Sequence, residues 1–193
     1  MRWNATYNSL RPLNQDAKQA LTHAVGDNVK PFWHPNSRIL ILGSFPSRET
    51  RDAGFFYGHP SNRFWKVLSV VFNDDFPSTS EPSAIEIKQK LLQKHRIALW
   101  NLIAECDIRN SEDDSIQNER LNDISVIIKN SSVNHIFING FNNIQYFHRV
   151  CRDSRAIPYT VLPSTSSVNQ GFNFDQLIEA WKIIGYMYRS ETI

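Results

Sequence analysis

RILILG, residues 38–43, is a short aliphatic run between an arginine and a glycine, closed by Ser44, Phe45 and Pro46. A run this brief, stopped by Gly-Ser and a proline, reads as a strand buried on both faces. Three further runs share its character: IALWNL (97–102), HIFIN (135–139) and YTVL (159–162). Stretches with helical spacing separate them. NRFWKVLSVVF (62–72) follows a possible cap at Ser61 or Asn62, and AIEIKQKLLQKH (84–95) spaces Ile87, Leu91 and Leu92 along one helical face. RLNDISVIIK (120–129) carries Leu121, Ile124, Ile127 and Ile128 on one side, and residues 141–150 and 174–184 complete the alternation. Buried strands alternating with amphipathic helices predict an α/β fold with a parallel sheet covered on both faces.

The rest of the chain sets bounds on this reading. At 193 residues and 22.4 kDa it fits one domain, and 41% hydrophobic against 21% charged residues is enough to bury a core. Residues 1–37 read as a lead-in packed on a domain spanning 38–193, with a helix expected over residues 14–25 (NQDAKQALTHAV) and irregular chain at PFWHPNS (31–37). A net charge of +2 excludes a polybasic coat, but it leaves room for a local nucleic-acid surface. Two cysteines cannot make a disulfide framework or a four-cysteine metal site, so a reducing cytoplasm is expected. No run reaches the roughly 18 apolar residues of a membrane helix.

Ligands of open parallel sheets bind beyond the carboxyl ends of the strands. Those ends are Ser44-Phe45-Pro46-Ser47, Trp100-Asn101, Asn139-Gly140 and Pro163-Ser164-Thr165-Ser166. None carries a phosphate-cradling GxxxxGK[ST], a GxGxxG or a GxSxG elbow, and no HExxH occurs. The segment FFYGHPSNRFW (55–65) instead combines aromatics, a Gly-His-Pro turn, an asparagine and an arginine. Flat apolar faces with a few hydrogen-bonding groups suit a planar heterocycle. The plainer reading, in which the aromatics are core and Asn62 only caps a helix, stays open on chemistry alone.

GSFPS (43–47), YGHPSNRFW (57–65), IALWN (97–101), Asn122-Asp123, Asn139-Gly140 and LPSTSSVN (162–169) stand in one order. This ensemble resembles the hypoxanthine-DNA glycosylase branch of the uracil-DNA glycosylase superfamily over roughly residues 38–185. The resemblance implies a three-layer α/β/α sandwich around a central four-stranded parallel sheet. It also implies a monofunctional enzyme that flips a deaminated base (hypoxanthine, uracil or xanthine) out of DNA and hydrolyses its N-glycosidic bond, with no metal or other cofactor. Its partner is then DNA containing deaminated bases, no membrane is involved, and a monomer is expected. A uracil-preferring enzyme and a catalytically inactive binder of damaged or single-stranded DNA remain the alternatives.

The resemblance assigns Asn62 as a catalytic residue that holds water or donates to the departing base. Asp123 is the candidate carboxylate, because GSFPS has none where many relatives carry an aspartate; the plainer reading is an acid in the first turn of a helix. Gly43, Ser44, Phe45, Pro46, Tyr57, His59 and Asn101 are the implied base-binding set. Phe45 and Tyr57 would form the wall, and Asn101 would read the edge where uracil and hypoxanthine both present a carbonyl beside an N–H. The branch often has Asp after LW, so Asn101 is a departure bearing on base preference. His59 could equally be a turn residue. Arg63, Ser164, Thr165 and Ser166 are the implied contacts to the DNA backbone, and Arg48, Arg51 and Arg109 are further possible phosphate partners. Leu162 stands where several relatives have a helper histidine. Val168 is small for filling the gap left by an everted base.

Overall fold

The computed structural model describes residues 20–151 and 157–190. In chain order the strands are β1 (Thr22–Val25), β2 (Ile39–Gly43), β3 (Ile97–Asn101), β4 (Ile103–Ile108), β5 (Gln117–Leu121), β6 (His135–Asn139) and β7 (Tyr159–Leu162). The helices are α1 (Arg48–Ala53), α2 (Phe64–Phe72), α3 (Pro82–Lys94), α4 (Ser125–Asn130), α5 (Ile144–Val150) and α6 (Phe174–Ser190). The four expected strands form one parallel sheet in the order β3-β2-β6-β7. Gly43 lies opposite Asn101, Leu42 opposite Ile138 and Asn139 opposite Leu162, so the strands finish together on one edge.

The apolar runs are continuous because both faces of the sheet are covered. Alternate side chains point to opposite faces. Ile39, Ile41, Ile97, Leu99 and Phe137 join a core with Phe64, Trp65 and Leu68 of α2, Leu92 of α3 and Leu177, Trp181 and Ile184 of α6. Leu40, Leu42, Ala98, Ile136 and Ile138 join a second core with Ile127 of α4, Tyr146 and Phe147 of α5 and Ile103, Cys106 and Ile108 of β4. The result is the three-layer α/β/α arrangement. Among the described residues no helix is long and apolar enough to cross a membrane.

Two expectations about elements are corrected. Part of the expected helix at 14–25 lies outside the described residues, and its last four residues are β1, paired antiparallel with β4 from Thr22↔Ile108 to Val25↔Glu105. The helix expected over 120–129 begins only at Ser125. Residues 117–121 instead pair with β4, giving a second, three-stranded sheet β1-β4-β5. The apparent helical stripe spanned a strand and a helix joined at Asn122-Asp123. There the Asp123 carboxylate accepts from Ser125 N–H at 3.0 Å, and Asn122 Nδ2 donates to the Asn101 carbonyl at 3.0 Å. These side-chain bonds start α4 late.

Lys88 is the unusual member of the first core. It is 1% exposed, its ammonium lies 4.5 Å above the Trp65 ring, and it donates to Thr79 O at 2.5 Å. Burial pushes its pKa down to about 8. Between that value and the ordinary lysine range the unfolded chain binds the extra proton, so stability rises with pH there and the full penalty is carried below it. Lys88→Met removes the titration. Relative to this variant, the native chain should gain about 2–3 kcal/mol between pH 7.5 and pH 10. Urea midpoints of the pair at both pH values check this, and a constant difference would contradict a buried ammonium.

Candidate active site

The edge where the four strands end opens into a cavity of about 650 Å³, within the size range of small-molecule sites. Gly43 makes its floor. A Cβ there would lie 3.1 Å from Asn101 Oδ1 and 3.3 Å from the Tyr57 hydroxyl, so only glycine lets both polar groups approach the strand end. The side-chain amide of Asn101 lines the cavity and has no hydrogen-bond partner among the described residues, although the residue is only 7% exposed. An amide left in this state can donate to a carbonyl and accept from an N–H of a ligand.

Tyr57 enters from the aromatic loop with φ +54°, an uncommon conformation for a bulky residue. Stacking on Phe64, with ring centroids 3.7 Å apart, and a hydrogen bond from Asn139 Nδ2 at 3.1 Å hold it there. Burial keeps its phenol protonated well above the usual tyrosine range. The next residue, Gly58, is required by close approach, because a Cβ would meet Glu49 O at 3.0 Å and Thr50 Cα at 3.1 Å. Phe45 is on the cavity wall but only 8% exposed, and the Arg51 guanidinium lies 5.1 Å from its ring centroid. Pro46 and Ser44 line the same side.

Asn62 stands at the entry to α2. Its Oδ1 accepts from Phe64 N–H at 3.0 Å, a turn bond just ahead of the helix, whose cap residue is Arg63 and not the expected Ser61 or Asn62. That bond fixes the amide with its NH2 as the remaining group of a cavity-lining side chain. His59 also lines the cavity. Its Nδ1 is 3.2 Å from Ser61 N–H and 2.8 Å from Ser61 Oγ. A ring nitrogen that accepts a backbone N–H is unprotonated, so the neutral ring carries its proton on Nε2.

Asn139, at the end of β6, is the girder between loops. Its Oδ1 accepts from Thr165 N–H at 3.0 Å, while its Nδ2 donates to Tyr57 and to Thr165 Oγ1, the latter at 3.0 Å. In the sequence the Asn139-Gly140 motif carries no local sign of this role. Thr165 also lines the cavity, but it is fully buried and its Oγ1 accepts from Asn139. Ser164 and Ser166 remain on the cavity wall, joined by Ser167 and by Val168, which is 82% exposed. Phe141, 55% exposed on the same rim, is the larger apolar group that the sequence did not single out.

Three of the expected residues, Arg63, Arg51 and Asp123, are absent from the cavity lining. Arg63 points inward: its guanidinium donates to four main-chain carbonyls, Phe172 at 2.7 Å, Ser166 at 2.7 Å, Asn169 at 2.9 Å and Thr165 at 3.4 Å. It clamps the loop after β7. Arg51 is likewise engaged, donating to Pro46 O at 2.6 Å. Asp123 is outside the cavity, and its bonds to Ser125 hold its carboxyl below the usual range, as befits a helix-start acid.

Three carboxyl side chains line the cavity, Glu112, Asp113 and Asp114, and the one bonded to a strand-end loop is Asp113, from the 3-10 turn Asp113–Ser115 after β4. Its Oδ2 accepts from Ser44 Oγ at 2.7 Å. Asp113 is an exposed residue, and the neighbouring protein nevertheless costs its carboxyl part of its solvation and raises its pKa against the opposing Ser44 bond. The run SEDDS (111–115) gave no local signal for this placement, since acidic loop residues usually face solvent. Among the described residues no group of three or more His, Cys, Asp or Glu side chains is placed to hold a metal ion.

A covered parallel sheet with a cavity at its carboxyl edge, lined by aromatic and amide side chains, defines an α/β protein with a strand-end ligand site. Residues 31–185 match the family model of the Uracil DNA glycosylase superfamily, and the chain belongs to that superfamily of hydrolases acting on N-glycosidic bonds. It is 31% identical to a protein named hypoxanthine DNA glycosylase from Methanosarcina acetivorans over 152 residues, which cover 77% of this chain and 90% of that one. A protein of the same name from Methanosarcina barkeri is 31% identical over 97 residues, which cover 50% of this chain and 59% of the relative. The solution NMR structure of a proposed uracil DNA glycosylase from Methanosarcina acetivorans superposes with a TM-score of 0.69 at 27% identity, covering 83% of this chain and 96% of that one.

Proposed function

We propose that the protein draws a deaminated base out of DNA into this cavity and hydrolyses its bond to deoxyribose, with hypoxanthine as the favoured base. A base inside the duplex is out of reach, so the nucleotide must rotate outward before chemistry. The observation that carries the reading is the pair of amides on the cavity wall. Asn101 presents donor and acceptor together, matching the carbonyl beside an N–H that deamination creates. Asn62 keeps its NH2 for the base departing with negative charge, or for the water. The names of the relatives support hypoxanthine.

The lining includes no lysine, which supports water over an amine as nucleophile. Release should therefore leave an intact abasic strand, and borohydride should trap no covalent adduct. The test is a panel of otherwise identical oligonucleotides carrying hypoxanthine, xanthine or uracil. Greatest release from hypoxanthine is expected, and no release from any of the three sinks the proposal. Asn101→Asp should change the ratios among the three bases more than it changes the unfolding midpoint. Unaltered ratios would take Asn101 out of edge reading.

A further inference from the structure

We infer that Asp113 is the general base of this site, taking a proton from the water that attacks the deoxyribose C1′. The inference rests on the glycosylase reading above and deepens it.

Hydrolysis needs a proton sink. An O–H bond of water breaks, the proton passes to a carboxylate oxygen, and the water oxygen bonds C1′. The C1′–N electron pair leaves with the base, which is then protonated from solvent, and the carboxyl returns its own proton to solvent. The groups that line the cavity leave few candidates for the sink. The amides of Asn62 and Asn101 have no basicity. Tyr57 stays a phenol, and His59 Nδ1 is occupied by the Ser61 N–H. Glu112 faces Arg109, with 3.7 Å between the charged atoms, and Asp114, an exposed residue also on the lining, makes no bond to a strand-end loop among the described residues.

Asp113 differs from these in how it is held. Ser44 fixes one of its oxygens to the loop that follows β2, the same loop that brings Phe45 and Pro46 to the cavity wall. The carboxylate that this loop lacks in its own sequence thus reaches it from the turn after β4. The titratable groups within electrostatic reach are Asp114 on the same turn, Cys106 on β4, Tyr57 and Tyr146 of α5, and none is a cation. Partial desolvation of this exposed carboxyl and the neighbouring Asp114 charge raise its pKa with only the Ser44 hydroxyl opposing them, which is the direction that strengthens a base.

The test is single-turnover release of hypoxanthine from duplex DNA between pH 5 and pH 9 by the native chain, Asp113→Asn and Ser44→Ala. Binding to a duplex with a tetrahydrofuran abasic analogue is measured alongside. Asp113→Asn keeps the shape and can still accept from Ser44. It should lower the rate by about 100-fold or more and abolish the fall in rate on the acid side. Binding of the abasic duplex should stay within about threefold of native. Ser44→Ala removes the bond that favours the ionised form, so the acid limb should move to higher pH by roughly half a unit to one unit. A purely structural carboxyl would not produce that shift. An Asp113→Asn rate within threefold of native, or an acid limb unmoved by both substitutions, overturns the inference and leaves the glycosylase reading standing. Absence of release by the native chain overturns both.

Discussion

Asn62→Ala lowers the single-turnover rate of base release by at least about tenfold, or more than ~1.4 kcal/mol of barrier. The amide does two jobs that the substitution removes together. Its Oδ1 accepts the Phe64 N–H that opens α2, and its NH2 lines the cavity. Losing the first costs one local hydrogen bond, about 1 kcal/mol. Losing the second removes a fixed neutral donor where negative charge develops, and such donors matter most when they need no reorganisation. Asn62→Asp separates the jobs. The carboxylate can still accept from Phe64, so the unfolding midpoint stays closer to native, but it brings an acceptor and a negative charge towards a departing anion. Its rate should therefore fall at least as far as that of the alanine variant. Quenched single-turnover assays with excess enzyme, paired with urea unfolding, measure both quantities. A native rate for Asn62→Ala would make the residue a turn former and nothing more.

What could be read in the sequence follows from how locally each feature is encoded. The parallel sheet was legible because β2, β3, β6 and β7 are buried on both faces and so appear as unbroken apolar runs. The antiparallel sheet was hidden for the opposite reason. β5 is QNERL, with no buried residue, and β4 starts one residue after β3 ends, so IALWN and IAECDI read as one passage. Gly43, Tyr57, Asn62 and Asn101 could be placed at the cavity because strand ends and the aromatic loop converge by topology. Asp113 could not, since only the long-range contact to Ser44, 69 positions away, brings it there. Arg63 failed in a related manner. A charge beside a nucleic-acid motif suggests a phosphate, and nothing local reveals four carbonyls from a loop about a hundred residues later.

That clamp carries the largest expected loss of stability. Arg63→Ala leaves the carbonyls of Thr165, Ser166, Asn169 and Phe172 without their shared donor. Hydrogen bonds to a charged group are worth about 1.5–3 kcal/mol each, and water can reach part of this loop, so a net cost of about 3 kcal/mol is expected. Arg63→Lys should recover less than half of it. An ammonium is a compact charge with three donors and cannot span the fan that the planar guanidinium fills. Because the clamped loop bears Ser164, Ser166 and the exposed Val168, DNA binding should weaken as well. The dependence on salt distinguishes this indirect route from a direct phosphate contact. A residue that neutralises one phosphate contributes about one unit to the slope of log affinity against log salt. Arg63→Ala should bind more weakly at every salt concentration with that slope unchanged. A slope reduced by about one unit, with the unfolding midpoint intact, would return Arg63 to the DNA surface.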